Sequence, residues 1–216
     1  MKKRPVDLRL VLSLLGLVLL AGAIALIAVG SSASPKKQTA ATKQSSFAAS
    51  GTLNPVSAAP PLALHDYLGR PVNIDFYKGK VLLVTFLYTH CPDVCPLIAS
   101  NLRVAQNLMP ATVRSKVQMI AVSVDPKGDT PKAVGAFLAH HQLTGRIEYL
   151  VGSAHELGPV WQAWGVGSER DAQKPEFINH SGLIYGVTAS GKRLTIYAAN
   201  FQPSDVAHDV PLLAVR

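Results

Sequence analysis

Residues 10–29 form an uncharged run that is almost wholly apolar. The nine residues before this run carry four basic side chains and one acidic side chain. A helix rises about 1.5 Å per residue, so this run forms a helix of about 30 Å, which matches one hydrocarbon core. Basic flanks stay on the cytoplasmic side of a membrane. The pattern therefore predicts a cytoplasmic flank and a transmembrane anchor in residues 1–30.

The predicted location is the inner (cytoplasmic) membrane, crossed once, with the C-terminal part on the periplasmic or extracytoplasmic side. A cleaved signal peptide is the alternative, because residues 31–33 (SSA) are small enough for a cleavage site. The apolar core of a signal peptide usually spans about 7 to 15 residues. The longer run in this chain favours the uncleaved anchor.

Residues 31–61 are rich in Ser, Ala, Thr, Gln and Pro and contain one aromatic residue. A segment of this composition cannot bury enough apolar surface to fold, so we predict a flexible tether. Residues 62–216 are numerous enough to form one domain with its own hydrophobic core.

Two runs in this domain, residues 81–88 (VLLVTFLY) and 117–124 (VQMIAVSV), are almost wholly apolar. Strands with this pattern are buried on both faces of a parallel sheet. Helical spacing, caps and turn signals predict the other elements: helices over 96–109, 131–140, 153–164 and a short one after Ser204, a strand over 147–151, and a hairpin of 182–188 and 193–198. This order indicates the α/β class, with a mixed sheet flanked by helices.

The formal net charge of +8 is concentrated near the N-terminus. Residues 1–50 carry seven basic side chains against one acidic side chain, whereas residues 51–216 carry 14 against 12. The domain shows no basic stripe with interleaved aromatic residues, so we expect no nucleic-acid partner.

The only two cysteines of the chain, Cys91 and Cys95, lie between the strand of 81–88 and the helix that follows it. A helix N-terminus favours thiolate, and residues four apart on a helix share a face. The pair could therefore form a redox disulfide outside the cytoplasm or the soft half of a metal site. A dithiol on the first βα turn, a mixed sheet and a final hairpin together indicate a thioredoxin-like fold. Thioredoxin-type reductases have two residues between their cysteines, but this chain has three.

Among the seven histidines, His180 is the candidate third ligand. It lies at the start of the predicted hairpin, in the segment that faces the dithiol turn in this type of fold. Thiolate selects Cu(I), and an added imidazole also accommodates Cu(II). A structural zinc site normally has four protein ligands, whereas these three would leave a copper site open.

The motifs of residues 86–96 (FLYTHCPDVCP), 122–131 (VSVDPKGDTP), 143–145 (LTG) and 179–182 (NHSG) resemble those of the SCO/SenC family. Members of the SCO/SenC family are membrane-tethered, copper-binding assembly factors for cytochrome c oxidase. The resemblance implies copper ligands at Cys91, Cys95 and His180, and delivery of copper to the CuA centre in the copper-bearing subunit of the oxidase. Another copper carrier or a thiol reductant would be a further partner. The chain departs from the family in having Gly128 where Arg is usual, and Asn179 where an acidic residue is common.

Two acidic residues near the dithiol have more than one possible role. The resemblance suggests that Asp93 acts in the outer shell of the metal or in partner docking, but a turn or cap carboxylate would look the same in sequence. Asp125 could hydrogen-bond the motif loop or simply start the Asp-Pro turn. Trp161, Trp164, Met109 and Met119 fit core packing better than a cofactor site.

The alternative function is a membrane-tethered thiol-disulfide oxidoreductase that reduces cysteines of a partner protein. The Cys91 thiolate would attack the partner, and Cys95 would resolve the mixed disulfide. Such enzymes usually have a proline just before the strand that faces the dithiol, and this chain has Asn179 and His180 there. The three-residue spacing of the cysteines and the absence of this proline favour a metallochaperone, which has no catalytic residue.

Overall fold

The computed structural model describes residues 46–170, 172–173 and 178–216. The predicted anchor and the first part of the predicted tether lie outside the described residues. Within these described ranges, no helix has the length and apolar character needed to cross a membrane.

Ten strands and five α-helices make up the described part of the chain. The strands are β1 (Gly51–Ala58), β2 (Ala63–Asp66), β3 (Pro71–Asn73), β4 (Val81–Leu87), β5 (Val117–Ser123), β6 (Ile147–Val151), β7 (Ser168–Arg170), β8 (Ile178–His180), β9 (Leu183–Val187) and β10 (Lys192–Ala198). The helices are α1 (Val94–Leu108), α2 (Ala111–Arg114), α3 (Pro131–His140), α4 (Ala154–Trp164) and α5 (Pro203–Ala214), with a 3-10 turn at Ile74–Tyr77.

Eight of these strands form one mixed sheet in the order β1-β10-β9-β4-β5-β6-β2-β3. The strands β4, β5 and β6 are parallel, and the other pairings in this sheet are antiparallel. Every residue of β4 is buried, as expected for a strand covered on both faces. The predicted mixed α/β sheet is therefore confirmed, and the dithiol turn follows its fully buried strand.

Local sequence signals fix where the helices begin. The Thr130 hydroxyl accepts a hydrogen bond from the N–H of Ala133 at the start of α3. Ser153 and Glu156 form a capping box at the start of α4. Each side chain satisfies N–H groups that have no partner inside the helix. Trp164 and both predicted core methionines are buried, which confirms their packing role.

The folded region begins earlier than residue 62, so part of the predicted tether is wrong. β1 pairs antiparallel with β10 at the edge of the sheet. The backbone N–H groups of Ala48 and Ala49 donate to the buried carboxylate of Asp209 at 2.8 and 2.9 Å. β1 is almost wholly exposed, so backbone pairing rather than an apolar pattern holds it. Hydrophobic periodicity cannot detect a strand of that kind.

Candidate metal centre

The dithiol turn connects β4 to α1 and places its two sulfurs side by side. Cys91 lies before the helix, and Cys95 is the second residue of α1. The N–H of Cys95 donates to Cys91 Sγ at 3.3 Å, as expected for a sulfur at a helix N-terminus. Both cysteines are buried and neither forms a disulfide.

The two thiols differ in acidity. The Cys95 thiol donates a hydrogen bond to Cys91 and lowers the pKa of Cys91 to about 6, although burial opposes this shift. Hydrogen bonds from the N–H groups of Asp93 and Cys95 and from Tyr88 also lower this pKa. The same contact and burial raise the pKa of Cys95 far above its usual range. At neutral pH the pair is therefore a thiolate at Cys91 and a thiol at Cys95.

His180, at the end of β8, reaches the dithiol from the other side. Its Nε2 lies 3.8 Å from Cys95 Sγ. Its Nδ1 lies 3.3 Å from the Ser181 carbonyl oxygen, so an N–H at Nδ1 can donate there and leave the Nε2 lone pair facing the sulfur. Burial lowers the pKa of His180, and the contact with Ser181 only partly offsets this effect. The imidazole is neutral at pH 7, as a metal ligand must be.

The distance between Cys95 Sγ and His180 Nε2 can be compared with known coordination geometry. Metal–sulfur and metal–nitrogen bonds near 2.3 and 2.0 Å put two ligands of one ion about 3.5 to 3.7 Å apart at tetrahedral to trigonal angles. The observed 3.8 Å is close to that range. Within the described residues, no three His, Cys, Asp or Glu side chains already surround one point as metal ligands would. The structure brings the three predicted ligands together in pairs, and closing all three on one ion requires side-chain movement.

Asp93 is the N-cap of α1. Its carboxylate accepts the N–H of Val94, and the same Oδ1 lies 3.9 Å from Cys91 Sγ. The cap reading is therefore supported. The carboxylate is also a near neighbour of the sulfur, although no hydrogen bond of normal length joins them.

Asp125 starts the Asp-Pro turn, one of the two roles that its sequence position allowed. Its carboxylate accepts the N–H of Lys127 at 3.3 Å, and its own N–H donates to Ser123 Oγ. A Cβ at Gly128 would lie 2.2 Å from Asp125 Oδ2 and 3.2 Å from His90 Nδ1. A side chain at position 128 would therefore require the Asp125 carboxylate to move from its present place.

Asp129 is a residue of the site that the sequence reading missed. Its buried carboxylate accepts the N–H of Thr89 at 2.8 Å, the hydroxyl of Ser123 at 2.6 Å and the hydroxyl of Tyr149 at 2.9 Å. The sequence did contain a signal, because Ser123 and Tyr149 place hydroxyl groups in mostly apolar strands. Buried hydroxyls of this kind need a buried partner.

Tyr88 is the second missed residue. Its hydroxyl oxygen accepts the N–H of Ile178 at 3.4 Å, and its ring meets the His180 ring edge to face with centroids 5.7 Å apart. Burial raises the pKa of Tyr88 to about 12, so the phenol is neutral. Tyr88 joins the end of β4 to β8 and helps to position His180.

Comparison with known proteins decides the family. A family model described as SCO1/SenC matches residues 51–214. The chain belongs to the SCO1/SenC family. The resemblance seen in the four sequence motifs is thus confirmed, and the match begins at the first residue of β1.

Individual members of the SCO1/SenC family show the same relationship. The human protein named SCO1 homolog, mitochondrial, is 24% identical over 154 residues, which cover 69% of this chain and 50% of that protein. The chain spans about half the length of the first curated relatives it matches.

Solved structures confirm the thioredoxin-like Sco fold. ScoI of Bradyrhizobium japonicum with copper bound is 29% identical, with a TM-score of 0.60 over 73% of this chain and 99% of that one. BsSco, described as a member of the Sco family of cytochrome c oxidase assembly proteins with a disulfide switch, is 23% identical. Its TM-score is 0.61 over 74% of this chain and 94% of that one.

Proposed function

We propose that this protein is a membrane-anchored copper chaperone that binds one copper through Cys91, Cys95 and His180. It delivers the copper to the CuA centre of cytochrome c oxidase during assembly. The observation that carries the proposal is the 3.8 Å approach of His180 Nε2 to Cys95 Sγ, beside a second sulfur. Membership of a family that includes a copper-bound ScoI and an oxidase assembly protein supports it.

The donor set fits copper. Thiolate sulfur is soft and selects Cu(I), while imidazole nitrogen also suits Cu(II). The Cys91 thiolate and the neutral His180 imidazole are ready to bind at pH 7, and Cys95 would release its proton to the solvent on binding. Three protein ligands leave the ion accessible to an acceptor, as transfer requires.

The proposed setting follows from the N-terminal sequence pattern. A single anchor would hold the domain on the periplasmic or extracytoplasmic side of the inner membrane, within reach of the copper-bearing subunit of the oxidase. Asp93, exposed at the rim of the dithiol turn, is available to a docking partner. Another copper carrier or a thiol reductant would act before delivery, since the cysteines must be reduced to bind copper.

A copper titration tests the proposal. The reduced full-length chain, kept in mild detergent and without oxygen, is titrated with Cu(I) against a competing chelator. We expect one copper per chain, and a loss of affinity of at least about tenfold in Cys91→Ser, Cys95→Ser and His180→Ala. The control is His65→Ala, because His65 is exposed on β2. Unchanged affinity in His180→Ala would refute the three-ligand site.

The unequal acidity of the two thiols favours one second candidate, a thiol-disulfide oxidoreductase. The Cys91 thiolate would attack a partner disulfide, form a mixed disulfide and release one partner thiolate. Cys95, losing its proton, would then attack Cys91 Sγ and release the second partner thiolate, leaving this chain oxidised. A Cys95→Ser variant that accumulates the mixed disulfide with a model peptide would favour this function, whereas failure to react would eliminate it.

A further inference from the structure

A second group of metal-ligating side chains lies outside the Cys91, Cys95 and His180 set. α3 ends at His140, and His141 follows as its C-cap. Both line a surface cavity of about 450 Å³, together with His90 from the dithiol turn. The proposed function assigns no role to these three imidazoles.

One ring nitrogen of His90 has a hydrogen-bond partner. Its Nδ1 lies 3.1 Å from Thr89 Oγ1, so an N–H at Nδ1 can donate to that hydroxyl. Metal-binding histidines are commonly oriented in this way by an oxygen at their second nitrogen. The other nitrogen, Nε2, then keeps its lone pair for a ligand, and the side chain is exposed.

The His140 and His141 rings already lie together at the end of α3. Their centroids are 4.9 Å apart and their planes are perpendicular. The Phe137 ring packs against His141 with centroids 4.5 Å apart and restricts its motion. Two nitrogens bound to one ion at about 2.0 Å lie about 3.3 Å apart at a tetrahedral angle, within reach of rings at this separation. The negative end of the helix dipole also favours a cation here.

We propose that His90, His140 and His141 bind one divalent transition-metal ion in this cavity. Imidazole suits Cu, Zn and Ni, and Cu(II) is the tightest binder in the divalent series. Within the described residues these side chains do not yet surround one point. His90 and His140 are exposed and can turn toward a shared ion at the cost of rotamer freedom. The cavity wall also includes Pro96, the neighbour of Cys95, so an ion held there lies beside the dithiol turn.

Two effects limit the affinity. Burial disfavours a positive charge at the His141 ring, and the positive charge of Arg103 adds to that effect. We therefore expect weaker copper binding here than at the buried thiolate site.

The test uses the full-length chain in detergent, without a polyhistidine tag, carrying Cys91→Ser and Cys95→Ser. This background removes the thiolates and leaves the imidazoles. Titration with Cu(II), followed by electron paramagnetic resonance, should give one nitrogen-ligated copper per chain. Adding His140→Gln and His141→Gln should weaken that binding at least about tenfold. The matched control adds His65→Gln and His155→Gln, two exposed histidines that do not line the cavity, and should leave binding unchanged.

Absence of stoichiometric Cu(II) binding, or equal binding after His140→Gln and His141→Gln, would overturn the inference. The proposed function is tested separately by Cu(I) binding to the chain with both cysteines. Failure there, with Cu(II) still bound at the histidines, would refute the chaperone proposal alone. The reverse result would refute the histidine site alone.

Discussion

At the scale of single residues, Asp129 connects the dithiol turn to the sheet. Its carboxylate accepts hydrogen bonds from Thr89 in the turn, Ser123 at the end of β5 and Tyr149 in β6. Burial raises the pKa of Asp129, although these donors oppose that rise. The dithiol turn, β5 and β6 are thus joined by hydrogen bonds to one buried carboxylate.

We expect Asp129→Ala to lower the free energy of unfolding by about 3 kcal/mol. The three donors lose their acceptor, and each unsatisfied buried donor costs about 1–3 kcal/mol, while the desolvation cost of the carboxylate disappears and offsets part of the loss. Urea unfolding followed by tryptophan fluorescence measures this change. The control is Asp75→Ala, since Asp75 is exposed and pairs only with Lys78 among the described residues, and it should change stability by less than about 0.5 kcal/mol. Equal effects of the two substitutions would contradict the role of Asp129.

The acidity of Cys91 gives a second residue-scale prediction. Ultraviolet absorbance of the reduced chain should show one thiolate with a midpoint near pH 6, protonated below that pH and ionised above it. Cys95→Ala removes the thiol donor and should raise the midpoint toward the usual value for cysteine. Cys95→Ser keeps a hydroxyl donor and should raise it less. If Cys95→Ala leaves the midpoint near pH 6, the contact with Cys95 is not the cause.

Sequence chemistry was sufficient to propose Cys91, Cys95 and His180 as candidate ligands, but it did not identify the residues that surround them. Cysteine and histidine can be recognised as candidate ligands from their residue type and from their position at the end of a strand. Asp129 and Tyr88 act through partners at positions 149 and 178, which periodicity does not connect to them. Their roles depend on which strands become neighbours in the sheet.

At the scale of elements, the segments with strong local signals were predicted closely. The strand over 147–151 and the α4 capping box were found at the expected residues, and β4 and β5 ended one residue early. The short strands β2, β3, β7 and β8 and the edge strand β1 were not predicted. These strands are too short or too exposed for an apolar pattern to accumulate, so their pairing depends on neighbours distant in sequence.

β1 provides the element-scale prediction. A chain that starts at residue 62 should lose several kcal/mol of unfolding free energy relative to a chain that starts at residue 46. The shorter chain leaves the edge of β10 unpaired and removes the N–H groups of Ala48 and Ala49 from the buried Asp209 carboxylate. Loss of partners from a buried charged group is among the largest single effects on stability.

The measurement is urea unfolding of both chains, with the full-length chain as reference. Asp209→Asn in the longer chain is the companion variant, because it keeps β1 and weakens the contacts of this carboxylate with Ala48 and Ala49 and with its neighbours Tyr197 and His208. If the two truncated chains were equally stable, β1 would contribute nothing to the fold.

At the scale of the whole molecule, the candidate metal centre joins segments that are far apart in sequence. Cys95 and His180 are separated by 85 positions. They meet because β9 pairs with β4, so the chain just before β9 lies beside the turn just after β4. The topology of the sheet therefore creates the site, and neither segment contains it alone.

Because the site is complete only in the folded chain, copper should stabilise the fold. At a free copper concentration about 100 times Kd, the gain is about 2.7 kcal/mol, which corresponds to a rise in Tm of roughly 5–10 °C for a domain of this size. Thermal unfolding of the reduced chain, with and without Cu(I), measures the rise. Cys91→Ser/Cys95→Ser and the oxidised chain should show none, since their sulfurs cannot bind copper, and His180→Ala should show a smaller rise. A rise in the oxidised chain equal to that in the reduced chain would mean that copper stabilises the fold from a different site.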